Sequence, residues 1–183
     1  MKVFAFIADG SEEVECLAVI DVLKRAQFDV TLVAVKEEKL VHTAHAIDII
    51  ADTTISDINV SDADILFLPG GGQGTQNFKD SKELADMLLA HAAKEKPIAA
   101  ICAAPSVLGT LGLLKDRKAT CFPGFEEQLI GARHVRDGVV TDGNITTARG
   151  VGYALDLGLR LVSLYKSPEY AKQLKAAIQY DQF

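Results

Sequence analysis

A cysteine closes a short apolar run. Ile98-Ala99-Ala100-Ile101 leads into Cys102-Ala103-Ala104-Pro105. Small residues on both sides allow the sharp strand-to-helix turn of a nucleophile elbow, which holds a nucleophile above the end of a sheet. Ala100 and Ala104 stand where the serine version of that turn carries glycines. A helix starting just beyond Cys102 would favour thiolate over thiol and lower the cysteine pKa. The alternative is a buried cysteine acting as a small hydrophobe.

Two further segments offer partners for such a group. Pro69-Gly70-Gly71-Gly72 follows the apolar run Ile65–Leu68, and consecutive glycines can turn tightly and present N–H groups to an oxyanion or phosphate. No Gly-Lys-Ser/Thr follows, and Thr75 stands where a third dinucleotide-binding glycine would be. By itself the segment reads as a plain turn. Ser11-Glu12-Glu13-Val14-Glu15 opens a helix, where acidic residues suit the macrodipole without any function. Glu15 differs by phase, because Val14, Cys16 and Leu17 around it are apolar. A carboxyl on such a surface is desolvated and its pKa rises, which lets it act as a hydrogen-bond donor. A solvated helix face is the other reading of the same residues.

The histidines point to no metal. His42 and His45 fall in a strand-rich stretch, where residues three apart face opposite ways if the strand is regular. Three cysteines make no disulfide framework, and Cys16 and Cys121 read as buried structural thiols.

The elements that must position these residues follow from periodicity. Val3–Ala8, Val30–Val35, Ile65–Leu68 and Ile98–Ile101 are continuous apolar runs, as expected of parallel strands covered on both faces. Helical spacing spans Glu12–Ala26, with Val14, Leu17, Val19, Ile20, Leu23 and Ala26 as its apolar face and Asp9 or Ser11 as its cap. Helices are also expected over Ser81–Lys94, Ser106–Leu113, Gly152–Tyr165 and Pro168–Ile178. Short strands are expected at Leu40-Val41 and Ile47–Ile50. A hairpin joins Val139–Thr141 to Ile145–Ala148. Alternating strands and helices give an α/β fold with a mostly parallel central sheet and helices on both faces, whose ligands bind beyond the carboxyl ends of the strands.

Composition narrows the class. The 183 residues, 49% hydrophobic and 24% charged, fit one globular domain. A net charge of −6 argues against nucleic acid or an anionic membrane as partner. The first apolar run is too short for a signal-peptide core or a membrane span. With sparse free thiols, a cytoplasmic location is expected.

Four segments in order, Asp9–Glu15, Leu68–Gly71, Ala99–Pro105 and Thr147–Gly152, make the chain resemble the ThiJ/PfpI superfamily. The closest resemblance is to the DJ-one branch of the parkinsonism-associated deglycase and its bacterial relatives. It covers essentially the whole chain, 1–183, as one class I glutamine-amidotransferase-like domain, and implies a flavodoxin-like three-layer sandwich. Cys102 resembles the family's reactive cysteine, and Glu15 the glutamate that hydrogen-bonds its sulfur. The N–H groups of Gly71 and Ala103 match the oxyanion pocket. A homodimer with its interface near the active sites is also implied, with Arg25, His45, Phe122 and Arg149 at the site rim or interface. Phe122 replaces a histidine of the human relative, His45 an arginine and Ile50 a distal cysteine.

The resemblance implies a cofactor-free enzyme acting on reactive aldehydes, of glyoxalase or deglycase type, with methylglyoxal, glyoxal or a glycated protein or amino acid as substrate. A redox sensor or stress-responsive chaperone using an oxidisable Cys102 is the alternative. A peptidase of this superfamily carries histidine after the cysteine, where this chain has Ala103. An amidotransferase needs a His-x-Glu pair, whereas the residues two beyond the four histidines are Ala44, Ile47, Ala93 and Arg136.

Overall fold

The apolar runs become the strands of one sheet in the computed structural model, which describes residues 1–180. In chain order the strands are β1 (Lys2–Ile7), β2 (Asp29–Ala34), β3 (Leu40–His42), β4 (Asp48–Ile50), β5 (Thr53–Thr54), β6 (Ile65–Leu68), β7 (Ile98–Ile101), β8 (Lys118–Ala119), β9 (Arg133–His134), β10 (Val139–Asp142) and β11 (Ile145–Ala148). The helices are α1 (Glu13–Arg25), α2 (Gly72–Asp80), α3 (Lys82–Ala92), α4 (Pro105–Thr110), α5 (Ala154–Tyr165) and α6 (Pro168–Ala177).

Seven strands form the main sheet in the order β10-β11-β7-β6-β1-β2-β5. Every pairing is parallel except β10 with β11, the expected hairpin. Side chains alternate across the sheet. Val3, Ala5, Ile7, Ile65 and Phe67 enter one core with residues of α1, α5 and α6. Phe4, Phe6, Leu66 and Leu68 enter the other, with Phe78, Leu84, Leu88 and Leu108 from α2, α3 and α4. The result is the expected three-layer, flavodoxin-like α/β sandwich. The chain proceeds from β1 outward to β2 and β5, then crosses to β6 on the other side of β1. Beyond the carboxyl ends of β1 and β6 lies the switch point at which such sheets bind ligands.

Local differences from the sequence expectations have physical causes. The glycine segment is no plain turn, because α2 begins at Gly72 and ends before Ser81. Ser81 caps α3 by accepting the Leu84 N–H at 3.2 Å, so two helices replace the one expected from Ser81. Apolar periodicity could not reveal α2, whose buried residues are Gly74, Thr75 and Phe78. At α1 the cap is Glu12, whose carboxylate accepts the Glu15 N–H at 2.5 Å. Asp9 pairs with Lys36 at 2.9 Å instead, and the Ser11 hydroxyl accepts the Ala8 N–H at 3.0 Å.

The start of α1 also inverts its binary pattern. Val14 and Leu17 are 53% and 44% exposed, whereas Glu13 and Glu15 are buried. The strand-like pieces near residues 40 and 50 pair with each other as an antiparallel hairpin, β3–β4, outside the main sheet. Among the described residues, no helix is long and apolar enough to cross a membrane.

Candidate active site

Cys102 stands between β7 and α4 with φ +65°, in the left-handed region. A non-glycine residue there costs on the order of 1–2 kcal/mol, and three backbone bonds hold it in place. Its N–H donates to the Ala148 carbonyl at 2.9 Å, and its carbonyl accepts the Phe122 N–H at 2.8 Å. Ala104 N–H closes the turn onto Ile101 at 3.0 Å. This strained, small-residue turn leaves Cys102 partly exposed while Cys16 and Cys121 are buried. Burial pushes the Cys16 and Cys121 thiols up to about 12 and about 11, which leaves both as poor nucleophiles at neutral pH.

Glu15 reaches the same place from α1. It is only 1% exposed; its carboxylate accepts the Gly70 N–H at 2.8 Å and is hydrogen-bonded to the Cys102 thiol. Burial pushes Glu15 up to about 7 against those two hydrogen bonds, with the Glu12 charge adding to the rise. Burial, then the charge and hydrogen bond of Glu15, push the Cys102 thiol up to about 12. The N–H groups of Gly71 and Ala103 pull the other way, being directed at the sulfur. The lowering expected from a helix N-terminus is therefore outweighed, first by burial and then by Glu15. Thiol with carboxylate and thiolate with carboxylic acid carry the same total charge, so the pair behaves as two sites coupled through one proton.

The glycines make this approach possible. A Cβ on Gly70 would lie 2.5 Å from both the Cys102 Cβ and Glu15 Oε2. Gly71 has φ +90°, and a Cβ there would collide with the Gly10 carbonyl oxygen. The structure thus brings Cys102, Glu15, Gly71 and Ala103 together at the switch point. Gly70, which supplies the N–H to Glu15, was not singled out by sequence reasoning. Its signal was its place in the same glycine run.

The rim residues divide. Phe122 and Arg149 line a shallow hollow of about 280 Å³ with Pro123, Gly150 and Tyr153, beside the Cys102 backbone. Arg149 has no ion-pair partner among the described residues. His45 lies in the turn of the β3–β4 hairpin, 3.0 Å from Glu13 through Nδ1, so the alternation of a regular strand does not govern it. His42 pairs with Asp48 at 2.7 Å. Arg25 is away from the site rim: it ends α1, about 15 Å along the helix from Glu15, and pairs with Asp21 at 2.6 Å. A groove of about 620 Å³ beside α5 and α6 contains neither Cys102 nor Glu15.

Known proteins resemble the chain in sequence and in fold. The chain is 39% identical over 172 residues to Protein DJ-1 homolog B of Arabidopsis thaliana, covering 93% of this chain but only 39% of that relative's length. Glutathione-independent glyoxalase DJR-1.2 of Caenorhabditis elegans is 28% identical over 168 residues, covering 91% of this chain and 89% of the relative. The solved structure of oxidised Toxoplasma gondii DJ-1 superposes with a TM-score of 0.94 at 34% identity, covering 99% of each chain. Residues 1–164 match the DJ-1/PfpI family description, and the chain belongs to the DJ-1/PfpI family.

Proposed function

We propose that this protein is a cofactor-free enzyme that converts small reactive aldehydes such as methylglyoxal or glyoxal to hydroxy acids, with Cys102 as nucleophile and Glu15 as its acid–base partner. The observation that carries the proposal is the buried Glu15 carboxyl, held by Gly70 against the Cys102 thiol with its pKa raised to about 7. A general base works best when poised near the operating pH. The relative named as a glutathione-independent glyoxalase supports the same reading.

The chemistry of these residues supports the following steps. On substrate binding the Cys102 proton passes to Glu15, and the sulfur forms a bond to the aldehyde carbon. The resulting oxyanion takes the N–H groups of Gly71 and Ala103, which now bond the sulfur, and is protonated by Glu15. Glu15 as carboxylate then removes the hydrogen from that carbon to give an enediol, carries the hydroxyl proton from the first oxygen to the second, and delivers a proton to the neighbouring carbon. The product is a thioester of the 2-hydroxy acid. Water cleaves the carbon–sulfur bond, releasing the acid and the thiol, so the net change is addition of water. Phe122 supplies no imidazole at the rim, which leaves all proton transfers in this scheme to Glu15.

Lactate formation from methylglyoxal without glutathione tests the proposal. Turnover should vanish in Cys102→Ala and fall about 100-fold or more in Glu15→Gln, the range for loss of a general acid–base group. A wild-type protein that is reduced, alkylates readily and yet turns over nothing would overturn it. The redox-sensor reading would then be preferred, supported by the partly exposed, glutamate-bonded thiol and by the oxidised Toxoplasma relative. Its signature is a sulfinate on Cys102 after mild peroxide.

A further inference from the structure

The groove of about 620 Å³ beside α5 and α6 carries a charge opposite to that of the whole chain. Arg160, Lys172 and Lys175 line it against the single carboxylate of Asp156, although the protein has a net charge of −6. Its volume falls within the roughly 300–1,000 Å³ of small-molecule sites. We propose that this groove binds a small phosphorylated sugar, with the phosphate held by Arg160, Lys172 and Lys175 and the sugar hydroxyls toward Asp156.

The cations are left unpaired although carboxylates stand at pairing distance along the chain. Asp156 precedes Arg160 by four residues, the spacing at which Asp21 pairs with Arg25 and Lys82 with Asp86. It accepts the Tyr180 hydroxyl at 3.0 Å instead, and Arg160 has no ion-pair partner among the described residues. Glu169 precedes Lys172 by three residues and accepts from Gln173 at 3.5 Å. Lys175 lies over the Tyr180 ring, 5.2 Å from its centroid. Like charges gathered in one groove repel, and a bound anion relieves that repulsion. A phosphate monoester carries about −1.5 to −2 at neutral pH, a closer match to three cations than the single charge of a carboxylate. The arginine fork fits phosphate oxygens in pairs, and Ser163, one turn beyond Arg160, adds a hydroxyl donor.

The rest of the groove suits a sugar. The short connection at Lys166-Ser167 and the Tyr180–Asp156 bond make α5 and α6 antiparallel. Lys172 and Lys175 therefore fall beside Arg160 and Ser163, and Asp156 lies toward the other end with Tyr153. A carboxylate there accepts hydroxyls and repels a second phosphate, which disfavours a polyanion such as nucleic acid. The Tyr153 ring is seated on Gly138, where a Cβ would collide with it, and offers an aromatic surface to the apolar side of a sugar. Buried Leu159 and Ala171 form an apolar floor. The groove is also open when the α1 face is covered. Gly158 packs against Val22 of α1, and Asp156, Arg160 and Ser163 occupy the opposite side of α5.

Calorimetry of the full-length protein with glucose 6-phosphate as probe tests the site. One site per chain is expected, with Kd below about 1 mM, no binding of glucose and at least tenfold weaker binding of inorganic phosphate. Added salt should weaken it, because the cations are exposed to solvent. The Arg160→Gln, Lys172→Gln double variant should lose at least about tenfold in affinity, with circular dichroism confirming its fold. Lys82→Gln, on α3, should bind as the wild type does. Cys102→Ala should also bind as the wild type does, which separates this groove from the reactive thiol. Absence of saturable glucose 6-phosphate binding, or an affinity unchanged in the double variant, would overturn the proposal. Inorganic phosphate bound as tightly as the sugar phosphate would overturn the assignment of a sugar.

Discussion

Glu15 is a charged residue placed where folding disfavours its charge. Its carboxyl titrates near 7 in the folded chain against an ordinary value of 4.5. Between those values the folded protein holds a proton that the unfolded chain has released, so stability falls as pH rises and the loss is complete above about 7. That penalty is on the order of 3 kcal/mol. Glu15→Gln keeps an oxygen for the Gly70 N–H and removes the titration. It should therefore be the more stable protein at pH 8, by up to about 3 kcal/mol, and should lose the decline between pH 5 and 8. Urea denaturation at the two pH values measures both. A variant less stable at pH 8, with the wild-type pH dependence retained, would contradict the assignment. Gains of this kind on removing a functional group accord with active sites that trade stability for chemistry.

At the scale of the elements, the site depends on three chain segments packing closer than side chains normally permit. Gly70→Ala places a methyl against the Cys102 Cβ, which the backbone fixes, and against the buried Glu15 carboxylate, which can yield only by losing its bond to the Gly70 N–H. Overpacking of this kind costs typically about 1–3 kcal/mol, and it moves sulfur and carboxyl apart. The variant should melt at a lower temperature and react sluggishly with iodoacetamide. Gly72→Ala is the control: a Cβ there meets nothing within 4 Å, so both properties should stay near wild type. Equal behaviour of the two variants would show that the close approach at Gly70 is not what sets the site.

How legible these elements were depends on the signal each one carries. Continuous apolar runs marked β1, β2, β6 and β7 because parallel strands are buried on both faces. The turn at Cys102 was visible because an apolar run stops there and the small residues Ala103 and Ala104 follow. Helix α2 was hidden, since it fastens itself through Gly74 and Thr75 rather than through an apolar stripe. Gly74 allows its backbone to approach Ser11, where a Cβ would lie 2.6 Å from the Ser11 Cα. The inverted start of α1 could not be read either. Hydrophobic periodicity assigns Val14 and Leu17 to the core and the glutamates to water, and a site that needs a buried carboxyl reverses that order. Alternation misjudged His45 for a different reason, because it was applied to a residue that sits in a turn.

The whole molecule leaves that reversed face exposed. Val14 and Leu17 project from α1, and the β3–β4 hairpin, whose turn reaches Glu13 through His45, exposes Ile47 and Ile50. Contiguous exposed apolar surface marks an interaction site more often than a free surface. The family resemblance implies a homodimer with its interface near the active sites, and this face satisfies both conditions. We therefore expect the protein to sediment as a dimer at micromolar concentration. Lysine at both Val14 and Leu17 should favour the monomer. Each apolar side chain contributes roughly 1.5–3 kcal/mol when buried, so losing two weakens dimerisation by at least about 100-fold. Sedimentation velocity of the wild type and of the Val14→Lys, Leu17→Lys double variant separates the outcomes. A monomeric wild type would refute the interface outright, and a double variant that remains dimeric would place it elsewhere on the surface. Because Val14 adjoins both Glu13 and Glu15 in sequence, a dimer formed here would also cover the approach to α1. Monomerisation should then alter the rate of Cys102 alkylation as well as the sedimentation coefficient.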